Sequence, residues 1–127
     1  MRTVWVLAAV VGVLAGGCGK PDAPLTAGGK PVSYWLEEAK KSDPKARRKA
    51  VRELGHVGAA DPAAIPAVAG ALKDRDVEVR REAALALLNL GPAATGVEPG
   101  LAEAANDPDK TVREYATQAL ERVRGRP

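Results

Sequence analysis

Four basic side chains fall on one side of a single predicted helix, at offsets of 0, 3, 4 and 7 residues. They are Lys45, Arg48, Lys49 and Arg52. Positive side chains grouped in this way can bind phosphates or carboxylates, so this basic stripe indicates an anionic partner. A solvated helix face carries the same residue types, and the sequence alone leaves both interpretations open.

Residues for catalysis and metal binding are scarce. The chain has one histidine and one cysteine among 127 residues, whereas zinc sites and activated nucleophiles need several suitable side chains close together. His56 corresponds to Asn89 and Arg122 in later segments, which favours an exposed or cap-like role over a metal ligand. We therefore predict that the protein is not an enzyme and uses no cofactor or metal.

Charge is unevenly distributed along the chain, which the net charge of +3 conceals. Residues 40–53 hold seven Lys and Arg against two acids, a local net charge of +5. Residues 61–109 hold four against nine, a local net charge of −5. A segregated field can steer a charged partner, which an even mixture of charges cannot do.

The N-terminal segment has the pattern of an export signal. Arg2 is followed by an apolar run of twelve residues over 4–15, which is too short to cross a bilayer that needs about 20. Small residues then lead into the sole cysteine, in the order Leu-Ala-Gly-Gly-Cys over residues 14–18. This segment resembles the lipobox of bacterial lipoproteins, although Ala15 replaces the preferred leucine. An ordinary secretory signal with a chance cysteine is the alternative.

The lipobox resemblance implies that residues 1–17 are a signal peptide and that Cys18 is acylated as the mature N-terminus. Residues 18–30 are rich in glycine and proline and lack any period, so they predict a flexible tether between the lipid and the domain. We expect a lipid-anchored protein of the bacterial cell envelope, on the periplasmic side of the outer or cytoplasmic membrane.

Three segments of the chain superimpose at a spacing of 33 residues. The recurring polar residues are Asp43, Asp76 and Asp109, each followed four residues later by an arginine, Arg47, Arg80 and Arg113. Apolar positions keep the same step. A fixed period in this range is typical of stacked supersecondary units that bury their apolar faces against their neighbours.

Helix signals are dense from residue 31 onwards. Apolar residues recur at three- and four-residue steps, and Asp-Pro or Gly-Pro pairs punctuate them. No segment alternates with period two, so strands are not expected. The pattern predicts an all-α domain over 31–127, built from three helical hairpins with units near 31–60, 61–93 and 94–124. Trp35 is the largest predicted core residue.

The motif Asp-x-x-Val-Arg-x-x-Ala-x-x-Ala-Leu at 76–87 and 109–120 resembles the short HEAT-like repeat named after phycobilisome lyases. Residues 43–54 match more loosely, with Ala46 in place of the valine. The resemblance implies a short right-handed α-solenoid in which the second helix of each hairpin lines the concave face. It also implies that the repeated aspartates and arginines form a structural ladder between neighbouring units.

The concave positions of the later units add Arg81 and Tyr115 to the basic stripe as candidate partner contacts. We expect a membrane-anchored interaction module or scaffold that binds a protein or envelope partner through these second helices. The alternatives are an enzyme accessory or lyase-like HEAT protein and a passive spacer or assembly subunit. Nucleic acid is not an expected partner. The short tail after the last helix also predicts self-association, or a partner, at one end of the solenoid.

Overall fold

Six α-helices, two short 3-10 helices (Ala71–Lys73 and Gly91–Ala93) and one short hairpin make up the part of the chain that the computed structural model describes, residues 24–125. The elements are β1 (Thr26–Ala27), β2 (Lys30–Pro31), α1 (Val32–Glu38), α2 (Pro44–Val57), α3 (Ala64–Gly70), α4 (Val77–Leu90), α5 (Glu98–Ala104) and α6 (Lys110–Val123). Within this range no helix has the length and apolar character needed to cross a membrane. The predicted signal peptide 1–17 and Cys18 lie outside the described residues.

The second helix of each hairpin begins at one of the recurring aspartates. Asp43, Asp76 and Asp109 are the N-cap residues of α2, α4 and α6, and each side chain accepts a hydrogen bond from a backbone N–H in the first turn. Such a cap typically contributes about 1 kcal/mol to helix stability. The three capped helices have 14 residues each, so the 33-residue period sets equal helices side by side.

The helices stack in two layers. Helices α2, α4 and α6 pack against one another as an inner layer, while α1, α3 and α5 form a more loosely connected outer layer. Leu54, Leu87 and Leu101 are fully buried between the layers. Trp35 is only 4% exposed, which confirms its predicted place in the core. The architecture confirms the all-α solenoid of three helical hairpins.

The inner layer is tight where α2 meets α4. A Cβ atom built on Gly55 would lie 2.8 Å from the Cβ of Ala86, closer than real side chains approach. Glycine is therefore required at this position for spacing, not for backbone conformation. The two helices come together there because neither residue has a side chain beyond one carbon.

A hairpin precedes the first helix, contrary to the expectation of no strands. Thr26 pairs with Pro31 and Ala27 with Lys30, and the turn uses Gly28–Gly29 with positive φ angles of 52° and 73°. Ala27 is buried, and its carbonyl accepts a 2.7 Å hydrogen bond from the indole Nε1 of Trp35. A buried indole N–H needs an acceptor, and this strand supplies it. The prediction of a flexible tether through residue 30 is therefore wrong from residue 26 onwards.

The two ends of the solenoid differ from its middle. Ala84 and Leu88 on α4 are buried, whereas their equivalents on α6, Thr117 and Glu121, are exposed. A terminal repeat needs such a polar outer face to remain in water. At the other end the hairpin covers Trp35. Self-association through one end of the solenoid therefore stays a prediction. The polar Thr117 and Glu121 at the C-terminal end do not favour it.

Candidate partner-binding surface

The outward side of the inner layer brings together all the candidate partner contacts. We define the inner surface by four positions on each second helix, all of them exposed or partly exposed. They are Lys45, Arg48, Lys49 and Arg52 on α2, Glu78, Arg81, Glu82 and Leu85 on α4, and Thr111, Glu114, Tyr115 and Gln118 on α6.

Glu82 neutralises two members of the basic stripe. Arg52 binds this carboxylate through two hydrogen bonds, of 2.8 Å from Nη2 and 3.1 Å from Nε, and Arg48 adds one of 3.3 Å. The Glu82 side chain is 11% exposed, against 45% for each arginine. Burial raises the pKa of Glu82, but the hydrogen bonds from Arg52 and Arg48 outweigh it and hold that pKa below its usual range.

The two lysines of the stripe keep their charge available. Lys45 and Lys49 are exposed, and neither forms an ion pair with another residue in the described range. The Lys49 Nζ lies 5.6 Å from the centre of the Trp35 ring, within cation–π distance. Two residues of the basic stripe, Arg48 and Arg52, are therefore held in ion pairs, and the other two, Lys45 and Lys49, are not. The sequence pattern did not show this difference.

Arg81 joins the second repeat to the third. Its guanidinium donates to both carboxylate oxygens of Asp109 at 3.0 and 2.6 Å, and to Glu78 at 2.6 Å. The hydrogen bonds from Arg81 and from the backbone N–H of Val112 hold the pKa of Asp109 well below its usual range. One carboxylate thus caps α6 and fixes α4 against it.

The structural ladder exists, but its aspartates are not the predicted ones. Arg47 binds Asp74 with bonds of 2.8 and 2.9 Å, and Arg80 binds Asp107 with bonds of 2.9 and 3.3 Å, each 27 residues further along the chain. The carboxylates of Asp43 and Asp76 instead accept hydrogen bonds from the first turns of their own helices. Of the predicted ladder residues, Arg47 and Arg80 bind aspartates of the next repeat, whereas Arg113 does not. Asp43 and Asp76 are caps, and Asp109 is a cap that also binds Arg81.

The ladder acceptors stand two residues before the caps, in the pattern Asp-x-Asp at 74–76 and 107–109. The first unit has Lys41 at the position equivalent to Asp74 and Asp107. The sequence has no ladder arginine in an earlier unit that would need an acceptor at this position. In the last unit Arg113 donates only to the backbone carbonyls of Asp107 and Pro108. The repeated Asp-x-Asp motif could have identified the ladder acceptors from the sequence. The 33-residue period, however, selects only the second aspartate of each motif.

Leu85 lies at the centre of the inner surface between two shallow depressions. One, of about 250 Å³, is lined on the α2 side by Arg52 and His56, and the other, of about 170 Å³, extends to Tyr115 on α6. Both are smaller than the roughly 300–1,000 Å³ of typical, mostly apolar small-molecule pockets, and a wider depression of about 470 Å³ along the basic stripe is lined only by charged side chains. Leu85 and Tyr115 are partly buried and rest on the core. This surface suits contact with a macromolecule better than enclosure of a small ligand.

His56 is exposed at the edge of the first depression, with Nδ1 3.8 Å from a Glu53 carboxylate oxygen. In the described range, no three His, Cys, Asp or Glu side chains converge as metal ligands would. The sequence-based preference for an exposed role of His56 therefore agrees with its position.

A family model for HEAT repeats matches residues 32–121 of the chain. The protein belongs to the HEAT-repeat family. Among solved structures it is similar to a chain of the complex of CpcE and CpcF of phycocyanin lyase from Nostoc sp. PCC7120, with 30% sequence identity and a TM-score of 0.64. The match covers 82% of this chain and 40% of that one, so this HEAT-repeat protein spans less than half of its neighbour. No curated protein matches it.

HEAT repeats build binding surfaces by repetition, since each unit contacts only its neighbours and the stack presents a continuous face. In this HEAT-repeat protein the continuous face is the inner surface. Its arginines are held by bonds that run between helices of different repeats, as in Arg52 to Glu82 and Arg81 to Asp109.

Proposed function

We propose that this HEAT-repeat protein is a membrane-anchored interaction module that holds a protein partner on its inner surface. One observation carries the proposal: two apolar side chains, Leu85 and Tyr115, lie among arginines that are already fixed by inter-repeat ion pairs. Side chains ordered before binding lose less conformational entropy when a partner arrives. Such a surface can bind a partner without first rearranging.

The partner is best described as a protein segment that combines an apolar group with carboxylates. Leu85 and Tyr115 offer an apolar anchor point near the centre of the surface, and aromatic residues are enriched at the core of protein interfaces. Lys45 and Lys49 carry unpaired positive charge at the first-repeat end. The anchor and the charge lie on successive second helices, so an acidic segment that crosses the repeats would contact both.

The anchoring half of the proposal rests on the sequence of residues 1–18, with its apolar run and small residues before the only cysteine. Cys18→Ser tests it directly, because the variant has no thiol to acylate. The wild-type protein should be recovered in the membrane fraction and the variant should not. Equal recovery of both in the membrane fraction would contradict a lipid anchor.

Binding should be tested by crosslinking in intact cells, with variants matched in charge. Lys45→Glu with Leu85→Glu changes the inner surface by three negative charges. Lys73→Glu with Ala102→Glu makes the same change on exposed positions of the outer layer. A protein captured by the wild type and the control, but lost from the folded inner-surface variant, supports the proposal. Equal capture by all three forms rules out the inner surface as the binding site.

A second candidate function is a subunit of a two-chain HEAT-repeat assembly, as an enzyme accessory or lyase-like protein. The likeness to a chain of the CpcE and CpcF complex favours it. Identification of the captured partner as another HEAT-repeat chain would support this version. A partner of unrelated fold, captured through the inner surface, would support the interaction module alone.

A further inference from the structure

The N-terminal end of the solenoid carries an unusual exposed surface. Leu25 and Tyr34 are 46% and 41% exposed and are the exposed large hydrophobic residues of the described range. The Lys30 Nζ lies 5.5 Å from the centre of the Tyr34 ring, and Tyr34 itself packs edge-on against Trp35 at 5.0 Å. Lys49 lies over the other aromatic of this pair. We name Leu25, Lys30 and Tyr34 the N-terminal face; Lys49 belongs to the inner surface.

The position of the proposed anchor limits where this face can go. Six peptide steps separate Cys18 from Pro24, the first described residue. Even a fully extended chain spans only about 3.5 Å per residue, so these positions lie within about 20 Å of each other. A lipid on Cys18 would therefore hold the N-terminal face close to the bilayer at a high effective concentration, where weak contacts become populated.

The chemistry of the face matches a lipid headgroup layer. Tyrosine places its ring in the apolar boundary and its hydroxyl among the headgroups, which explains its enrichment at membrane interfaces. Lysines next to it attract anionic lipids, each strengthening the contact roughly fivefold near a charged surface. Lys30 lies beside the exposed Tyr34 in this way, and Leu25 adds an apolar side chain.

We propose that the N-terminal face docks on an anionic lipid surface when Cys18 is lipidated, an inference that rests on the anchoring half of the proposed function. The contact fixes the orientation of the solenoid. Its first repeat lies against the bilayer, and its third repeat points away from it. The inner surface then stays open to partners in the surrounding compartment instead of turning towards the lipid.

Fluorescence of Trp35 can test the contact, because the only other tryptophan, Trp5, lies in the predicted signal peptide that is removed when Cys18 becomes the mature N-terminus, and a Trp5→Phe background excludes any unprocessed chain. The lipidated protein is purified from membranes and placed in phosphatidylcholine vesicles with or without phosphatidylglycerol. The lipids are brominated near the headgroup end of the acyl chains. Bromine quenches only nearby tryptophan. We expect quenching of Trp35 in the anionic vesicles and weaker quenching without phosphatidylglycerol.

Matched variants separate a specific contact from simple proximity. Lys30→Gln should lower the ratio of docked to undocked protein roughly fivefold, and Tyr34→Ser should lower it further. The same exchanges in the third repeat, Lys110→Gln and Tyr115→Ser, should leave the quenching unchanged. Absence of quenching in attached wild-type protein would overturn the proposal. Quenching of Trp35 that falls as the protein density on the vesicles rises would show that a second copy covers the N-terminal face. That result would also overturn the proposal.

Mass spectrometry of the same preparation distinguishes this inference from the anchoring proposal. If Cys18 carries no lipid, the anchoring proposal fails, and the thiol can be coupled to a maleimide lipid so that docking is still measured. Quenching in the coupled protein would then support the lipid-binding face alone. Lipidated Cys18 without quenching would leave the anchor in place and refute the docked orientation.

Discussion

Gly55→Ala should lower the free energy of unfolding, although alanine is the best helix former. Gly55 lies inside α2, where glycine normally costs about 0.8–1 kcal/mol relative to alanine. A Cβ at this position would stand 2.8 Å from the Cβ of Ala86. A favourable carbon–carbon contact needs about 3.5–4.0 Å, so α2 and α4 would have to move apart.

The magnitude follows from two opposing effects. Overpacking a close contact typically costs about 1–3 kcal/mol, and the better helix propensity of alanine returns about 1 kcal/mol. At the middle of that range the net loss is about 1 kcal/mol, which lowers Tm by about 4–8 °C in a domain of this size. Separation of the helices would also strain the bond between Arg52 and Glu82, which line the same depression as Gly55.

Thermal and urea unfolding followed by circular dichroism would measure the effect. Gly70→Ala is the matched control, because a Cβ on Gly70 at the end of α3 meets no atom within 4 Å. That change should stabilise the domain by about 0.4–1 kcal/mol. Ala86→Gly combined with Gly55→Ala should lose less than the sum of the two single changes. If Gly55→Ala raised Tm as Gly70→Ala does, the close approach would not be limiting.

Three further predictions concern individual side chains. Trp35→Ala should cost about 3–5 kcal/mol in urea unfolding, because it empties the core under the hairpin. The folded-state pKa of Glu82 lies below its unfolded value of about 4.3, so its contribution is complete above that pH and is lost as the pH falls through the folded pKa. Glu82→Gln should therefore flatten the acid side of the stability–pH curve measured by urea unfolding. Asp74→Ala should lower Tm more than Asp43→Ala, because it leaves the buried Arg47 without its carboxylate, whereas the exposed Asp43 loses one capping bond. Equal Tm losses would indicate that the ladder contributes little.

The repeat period and the helix starts could be predicted because they depend on local sequence. Each cap aspartate acts on the N–H groups two or three residues later, and each apolar position repeats at helical steps. Fold and helix order follow from these signals. The hairpin escaped prediction because two-residue strands leave no alternation to read, and its stability depends on the indole of Trp35 eight residues away.

The candidate site was harder to predict because ion pairs join residues far apart in sequence. Arg52 and Glu82 are separated by 30 residues, and either could have faced solvent on an isolated helix. Only the packing of α2 against α4 brings them together. The four positive residues on one helix therefore led to an overestimate of the charge available to a partner, because Arg48 and Arg52 are paired with Glu82. Lys45 and Lys49 are the part of that prediction that remains available to a partner.

The ladder determines how the length of this protein could change during evolution. The first unit only donates, through Arg47, and the third only accepts, through Asp107. The second unit does both, since Asp74 receives one arginine and Arg80 contacts the next aspartate. A tandem duplication of the segment 61–93 would therefore join correctly at its one new junction, because Arg80 of the first copy would meet Asp74 of the second. Each added copy would lengthen the inner surface by about 9 Å, the usual distance between packed helices, and leave the two ends as they are.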